Sequence, residues 1–194
     1  MKRTGGSVQE EDVLLQCTLE QRVTAGKYAM EDFNFETPST DLLVSAEGTG
    51  TLRVYEYPAG YKVTADGEKI ANKRLQAHEL PAKLLRGDSC CRAFIAGSKF
   101  DIKDHLRADI NSTYVLEELN IYATQDSYSN SFTAYLLSVP YRPRMVTKKP
   151  VIVGTQTAIV VGQSGEEIFT DKYGRVKVQF HWDQLGKKDE NSSC

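Results

Sequence analysis

Gly165-Glu-Glu-Ile-Phe-Thr-Asp171-Lys-Tyr-Gly174-Arg175-Val-Lys-Val-Gln-Phe180-His-Trp-Asp183 carries the clearest pattern in the chain. Val176, Val178, Phe180 and Trp182 alternate with Arg175, Lys177, Gln179 and His181. A period of two is that of a β-strand with one buried face. The expectation is therefore a strand over residues 175–183, with the Val/Phe/Trp set inward and the polar set wet or paired across an interface. Asp171 to Gly174 reads as a turn in which Gly174 takes a positive φ. Gln163 to Glu166 reads as another turn, and Glu167 to Thr170 as short and extended. Ahead of these, Val151 to Gly162 is an almost unbroken run of β-branched and small residues, expected to be extended. Three strands fall short of the roughly five that close a small barrel.

Working back from this block, Tyr141-Arg-Pro-Arg-Met-Val-Thr-Lys-Lys-Pro150 holds four basic residues, two prolines and no acid. Proline confines its neighbours to extended backbone, so the segment reads as a stiff connector and as the domain boundary. It divides a first domain, residues 1–140, from a second, residues 151–194. The first domain also reads as mainly β. Val13, Leu15, Cys17 and Leu19 alternate with polar neighbours, Thr51 to Tyr57 is strand-like before Pro58, and Ser89 to Ile95 and Lys99 to Ile102 follow. Thr113 to Tyr122 and Ser131 to Val139 flank the polar stretch Gln125 to Asn130 and read as an antiparallel pair. One helix is expected. It enters at Asp66-Gly67-Glu68, places Ile70, Ala71, Arg74, Leu75, His78 and Glu79 at helical spacing, and stops at Pro81.

The 194 residues are 40% hydrophobic and 26% charged with a net charge of −2, an ordinary balance for a chain that buries a core. Such a charge supplies no global basic field for nucleic acid or anionic lipid. Apolar runs such as Ala158 to Val161 reach only four residues, far below the roughly 20 residues that span a bilayer. Met1-Lys-Arg-Thr-Gly-Gly6 lacks the apolar stretch of a secretory signal. The four cysteines, 17, 90, 91 and 194, form no C-x-x-C pair and read as reduced thiols, one of the adjacent pair serving as a small core residue.

In order along the chain, Tyr141-Arg-Pro143, Lys149-Pro150, Gly154-Thr-Gln-Thr-Ala158, Val160-Val-Gly162 and the block 165–183 resemble the valine-glycine repeat spike proteins (VgrG) of type VI secretion and their Rhs-associated relatives. The likeness continues more loosely upstream, through Asp32-Phe-Asn-Phe-Glu-Thr-Pro38, Lys73-Arg-Leu75, Ala96-Gly-Ser-Lys-Phe100 and Asn111-Ser-Thr-Tyr-Val115. The resemblance implies the second of two β-barrels of a phage-baseplate-hub-like region over 1–140 and the start of an oligosaccharide/oligonucleotide-binding-type (OB) barrel over 151–194. It further implies a piece of a larger polypeptide whose homotrimer sits on a hexameric Hcp-type tube, carries a tip protein or effector, and is exported from the cytoplasm without a signal peptide. Its motif positions are Gly154, Gly162, Gly165, Asp171, Gly174, Arg175, Phe180, Trp182 and Asp183, in structural roles. The alternative is an OB-type binding module for oligosaccharide or single-stranded nucleic acid.

No enzymatic constellation emerges from the residues, and neither a cofactor nor a metal is expected. His181 and Asp183 are two apart with no nucleophile set near them. His78 and His105 belong to no His/Cys cluster. Asp101, Asp104 and Asp109 lack calcium-loop spacing. Glu117-Glu118 and Glu166-Glu167 would point to opposite faces of a strand. Gly48-Thr-Gly50 is too sparse for a phosphate loop. Arg175, Lys177, Gln179 and His181 form a polar ladder of the kind OB folds turn to single strands, but the strand's aromatics fall on its other face and acids flank it, so nucleic acid is not expected.

Overall fold

A computed structural model describes residues 13–163, 165–166 and 168–192. The readings at Met1 to Gly6, Ser164, Glu167 and Cys194 lie outside the described residues. The chain divides into two compact units, Met1–Val146 and Thr147–Cys194.

The first unit opens with β1 (Leu14–Gln21), β2 (Lys27–Met30), β3 (Val44–Glu47) and β4 (Arg53–Glu56), then α1 (Thr64–Glu79). It continues through β5 (Lys83–Ser89), β6 (Lys99–Asp101), β7 (Thr113–Ala123) and β8 (Tyr128–Leu136). A small sheet has the order β3-β2-β4, with β2 antiparallel to β3 and parallel to β4. Helix α1 lies on it, and Met30, Val44, Tyr61, Ala71 and Leu75 share its core. The larger sheet runs β1-β5-β8-β7-β6 and curls as a half barrel. Its core gathers Leu85, Ile102, Ile110, Tyr114, Leu116 and Phe132. Phe94 and Phe100 meet Phe132 edge-on, each with ring centroids 5.5 Å apart, the geometry that the aromatic quadrupole prefers.

Two bulges change what strict alternation implies. Register slips between Leu14 and Gln16 where β1 pairs with β5. Leu14 therefore joins Cys17 and Leu19 on the core side, while Leu15, expected inward, is 52% exposed. An extra residue in one strand reverses every face before it. A second slip, between Leu116 and Glu118 in β7, leaves both Glu117 and Glu118 exposed rather than on opposite faces.

Other elements shift. Helix α1 begins at Thr64, so Gly67 is a buried interior position and not part of a polar entry. The strand expected at Ser89 to Ile95 ends at Ser89. There the Ser89 hydroxyl accepts from the Cys91 N–H at 3.3 Å and donates to Asn130 Oδ1 at 2.7 Å, a local bond that competes with the ladder. Asn130 Nδ2 completes the knot by donating to the Cys91 carbonyl at 2.9 Å.

In the second unit, β9 (Ala158–Val161) and β10 (Lys177–Phe180) pair antiparallel, and an isolated bridge joins Thr170 to Val176. Val151 to Val153 stay outside the ladder and exposed. Gly154 follows at φ +112, a turn of the backbone that breaks an extended run.

Candidate functional site

Three of the motif positions, Asp171, Gly174 and Arg175, form the turn that feeds β10. Asp171 organises it: Oδ1 accepts the N–H groups of Tyr173 (2.9 Å) and Arg175 (3.0 Å), and Oδ2 accepts Arg175 Nε at 2.6 Å. The Gly174 N–H donates to the Asp171 carbonyl at 3.0 Å, with Gly174 at φ +73. That conformation suits glycine and strains a side chain. The Arg175 guanidinium beside it holds the Asp171 carboxyl below the usual carboxylate range, aided by the Arg175 N–H. Gly154 and Gly165 also have positive φ, at 112 and 92. Gly162 packs so closely that a Cβ there would lie 2.9 Å from the Glu166 carbonyl oxygen.

Strand β10 is shorter than expected and ends at Phe180. His181 and Trp182 occupy a turn closed by the Asp183 N–H donating to the Phe180 carbonyl at 3.1 Å. His181 and Asp183 are thus not neighbours on one strand face. The expected inward face also fails at its ends, since Val176 is 40% and Trp182 63% exposed, while Gln179 is 3% exposed. Gln179 is buried with both ends of its amide hydrogen-bonded. Its Nε2 donates to the Asp183 carbonyl at 2.8 Å, and its Oε1 accepts from Ser192 Oγ at 3.0 Å. Hydrogen bonding removes most of the cost of burying an amide. Asp183 Oδ1 in turn accepts the N–H groups of Leu185 and Gly186, both at 3.0 Å. Trp182 stacks on Phe180 at 5.1 Å and donates Nε1–H to Gln156 Oε1 at 2.9 Å.

The polar ladder is occupied rather than open. Arg175 pairs with Asp171 and lies 5.3 Å from the Tyr173 ring centroid, and Lys177 lies 5.4 Å from that of Phe169. Aromatics from neighbouring segments, which the alternation of one strand does not reveal, meet its cations.

Elsewhere, the residues weighed for chemistry are held in structural bonds. His105 Nδ1 accepts the Arg107 N–H at 3.0 Å. Asp109 is held by Arg107 in a two-pronged pair at 2.6 and 3.1 Å, which lowers its pKa. Asp101 accepts from Thr113 Oγ1 at 2.6 Å. Gly50 lies against the backbone of Gly26, a chain crossing rather than a phosphate cradle. Among the described residues no group of three or more His, Cys, Asp or Glu could hold a metal ion. No helix among them is long and apolar enough to cross a membrane.

One concave region escaped the sequence reading. A groove of about 730 Å³ is lined by residues of α1, by residues 142–146, and by Tyr28 and Glu56. His78 lines it, tilted against the Tyr28 ring at 5.5 Å. Burial, then the nearby Arg144, push the imidazole pKa down. Only the basic run Arg142 to Arg144 hinted at it.

The profile of the phage tail baseplate hub (GPD) family matches residues 1–127. The chain is 34% identical to the type VI secretion system spike protein VgrG1c of Pseudomonas aeruginosa, covering 96% of this chain and 28% of that protein. For VgrG1a of the same organism the identity is 32%, over 96% of this chain and 31% of that protein. The chain therefore spans less than a third of the length of these relatives. A solved structure, the E. coli c3393 protein, is described as a component of the type VI secretion system similar to T4 bacteriophage tail proteins gp27 and gp5. It aligns at a TM-score of 0.47 and 18% identity over 80% of this chain and 45% of that one, a likeness too slight to carry an argument.

Proposed function

The chain belongs to the phage tail baseplate hub (GPD) family, and from that premise we propose that it is a scaffold segment of a type VI secretion spike. The observation that carries the reading is the alignment of 96% of its length with proteins named as such spikes. In this reading residues 1–140 are a hub barrel, Tyr141–Pro150 is the connector, and residues 151–194 open an OB-type barrel. The antiparallel β9–β10 pair supports the last assignment.

The role is mechanical and assigns no residue to catalysis. Motif positions shape backbone: Asp171, Gly174 and Arg175 form one turn, and Asp183 fastens the loop after β10. The spike is a homotrimer seated on an Hcp-type tube hexamer and topped by a tip protein or effector. It assembles in the cytoplasm and leaves by the secretion machine itself.

The test is genetic and biochemical together. In-frame removal of codons 13–140 from the gene that carries this segment should abolish release of the tube protein into the medium, with restoration by the intact gene in trans. The full spike should sediment with tube hexamers at three copies per hexamer. Undiminished tube-protein release after the deletion would refute the reading.

A further inference from the structure

We propose that the groove beside α1 is the docking site for the acidic-aromatic segment Asp32–Glu36 of a second copy of this chain. The inference rests on the homotrimeric scaffold proposed above and deepens it by naming two surfaces that meet.

The groove is apolar with a basic rim. Four permanent cations line it, Lys73, Arg74, Arg142 and Arg144, against one acid, Glu56. Glu56 is already engaged by the Arg74 guanidinium and accepts from the Tyr28 hydroxyl at 2.5 Å. Nothing inside the groove offsets the remaining charge. Arg74 and Arg142 each bury an Nε donor that has no acceptor among the described residues, and such orphaned donors call for an explanation. Met145 and Val146, on the outer wall, are each 80% exposed. An occupant must therefore bring both negative charge and apolar bulk. The volume falls within the range of built ligand sites, about 300–1,000 Å³.

One segment of the same chain has that chemistry. Glu31-Asp-Phe-Asn-Phe-Glu36 carries three acids and no cation. Phe33 and Phe35 are each 58% exposed, a large aromatic display for a polar loop. The segment is also held in shape. Asp32 Oδ1 and Oδ2 accept the N–H groups of Phe33 (2.7 Å) and Gly60 (2.5 Å), and Asn34 Oδ1 accepts that of Glu36 at 3.0 Å. The Gly60 N–H, then that of Phe33, holds the Asp32 carboxyl below the usual carboxylate range. A pre-ordered loop loses little entropy on docking, and aromatic anchors in a charged rim are the usual centre of an interface. Groove and segment are different patches, so the contact is head-to-tail and closes into a ring when the rotation permits.

The test uses an acetylated, amidated and fluorescently labelled peptide of residues 31–37, titrated onto the chain. Saturable binding that weakens with salt is expected. Replacing both phenylalanines of the peptide by serine should weaken it at least about tenfold, and a scrambled peptide should bind no better than that variant. The Lys73→Glu, Arg144→Glu chain should also lose at least about tenfold. Both positions are exposed, and an unchanged circular dichroism spectrum checks the fold. Binding to that chain should return with a peptide carrying Asp32→Lys and Glu36→Lys. No binding, equal binding of the scrambled peptide, or indifference to the charge reversal overturns the inference. A full spike that forms trimers while the peptide fails to bind would leave the proposed function standing and remove only this contact.

Discussion

Replacing Gly67 by alanine should destabilise the first unit, although helix propensity argues the opposite. Gly67 is a buried interior residue of α1, and alanine there is worth about 0.5–1 kcal/mol over glycine. Its Cβ, however, would lie 2.5, 2.7 and 2.9 Å from Cε2, Cζ and Cδ2 of Tyr61. The ring has little room to retreat. Tyr61 is 5% exposed, and its hydroxyl lies against the Met30 carbonyl at 2.9 Å and the Leu42 carbonyl, sharing its proton between them. Overpacking costs about 1–3 kcal/mol, and a weakened buried hydrogen bond about 1 kcal/mol more. Clash and lost bond outweigh propensity, for a net loss of about 1–3 kcal/mol. Urea unfolding followed at 222 nm reports this directly, because α1 is the one α-helix among the described residues. With a slope of about 2 kcal/mol per molar, the midpoint should fall by about 0.5–1.5 M. The decisive control is the same change in a Tyr61→Ala background. With the ring gone, Gly67→Ala should become stabilising by about 0.5–1 kcal/mol, a coupling that a double-mutant cycle isolates. An equal effect in both backgrounds, or a stabilised single variant, would refute the claim that Tyr61 makes this position glycine.

Asn130→Ala should cost about 2–3 kcal/mol in the same assay, because it strips partners from the buried Ser89 hydroxyl and the Cys91 carbonyl. Leu116→Ala, at a site 1% exposed in the core cluster that includes Leu85 and Phe132, should cost about 2–5 kcal/mol by leaving a cavity. The Asp171 carboxyl has a folded pKa below its unfolded one, so its contribution is fully present above about pH 4 and fades as pH falls through the lower folded value. Asp171→Asn should therefore flatten the dependence of second-unit stability on pH below about 4. Fluorescence of the chain's single tryptophan, Trp182, reads that unit.

Much of the fold was legible where a local rule and the tertiary context agree. The pair β7–β8, helix α1 and the turn at Asp171–Gly174 all follow from alternation, helical spacing and turn chemistry. Two central or covered strands were not legible. Strand β5 (Lys-Leu-Leu-Arg-Gly-Asp-Ser) has three charges and a glycine among its seven residues, yet it pairs on both sides, with β1 and β8. Its outward residues meet polar groups brought by a neighbouring strand. Arg86 donates Nε–H to Glu20 at 2.7 Å, and Asp88 accepts from Gln16. Strand β3 is only four residues long and is fixed by α1 covering it, which no window of its own sequence contains. The bulge in β1 is a further case, since Leu14 and Leu15 are chemically equivalent and only the pairing with β5 decides which turns inward.

The motif around β10 shows the same limit from the side of polarity. Alternation treats glutamine as an outward residue because an unpaired amide is costly to bury. Gln179 goes inward because two partners outside the strand satisfy it, the Asp183 carbonyl four residues on and Ser192 thirteen residues on. Trp182 stays 63% exposed because the strand ends at Phe180 and the turn carries the ring off its face, where the indole donates to Gln156 and stacks on Phe180. Hydropathy alone ranks the two residues the other way round. The reversal comes from hydrogen-bond supply, and that supply arises only when the loop after β10 folds back. Gln179→Leu therefore keeps the apolar volume but orphans the Asp183 carbonyl and the Ser192 hydroxyl. Its expected cost of about 1–3 kcal/mol, read by Trp182 fluorescence in urea, has the opposite sign from what the polar-outward reading of this strand implies. A neutral or stabilising Gln179→Leu would restore that reading.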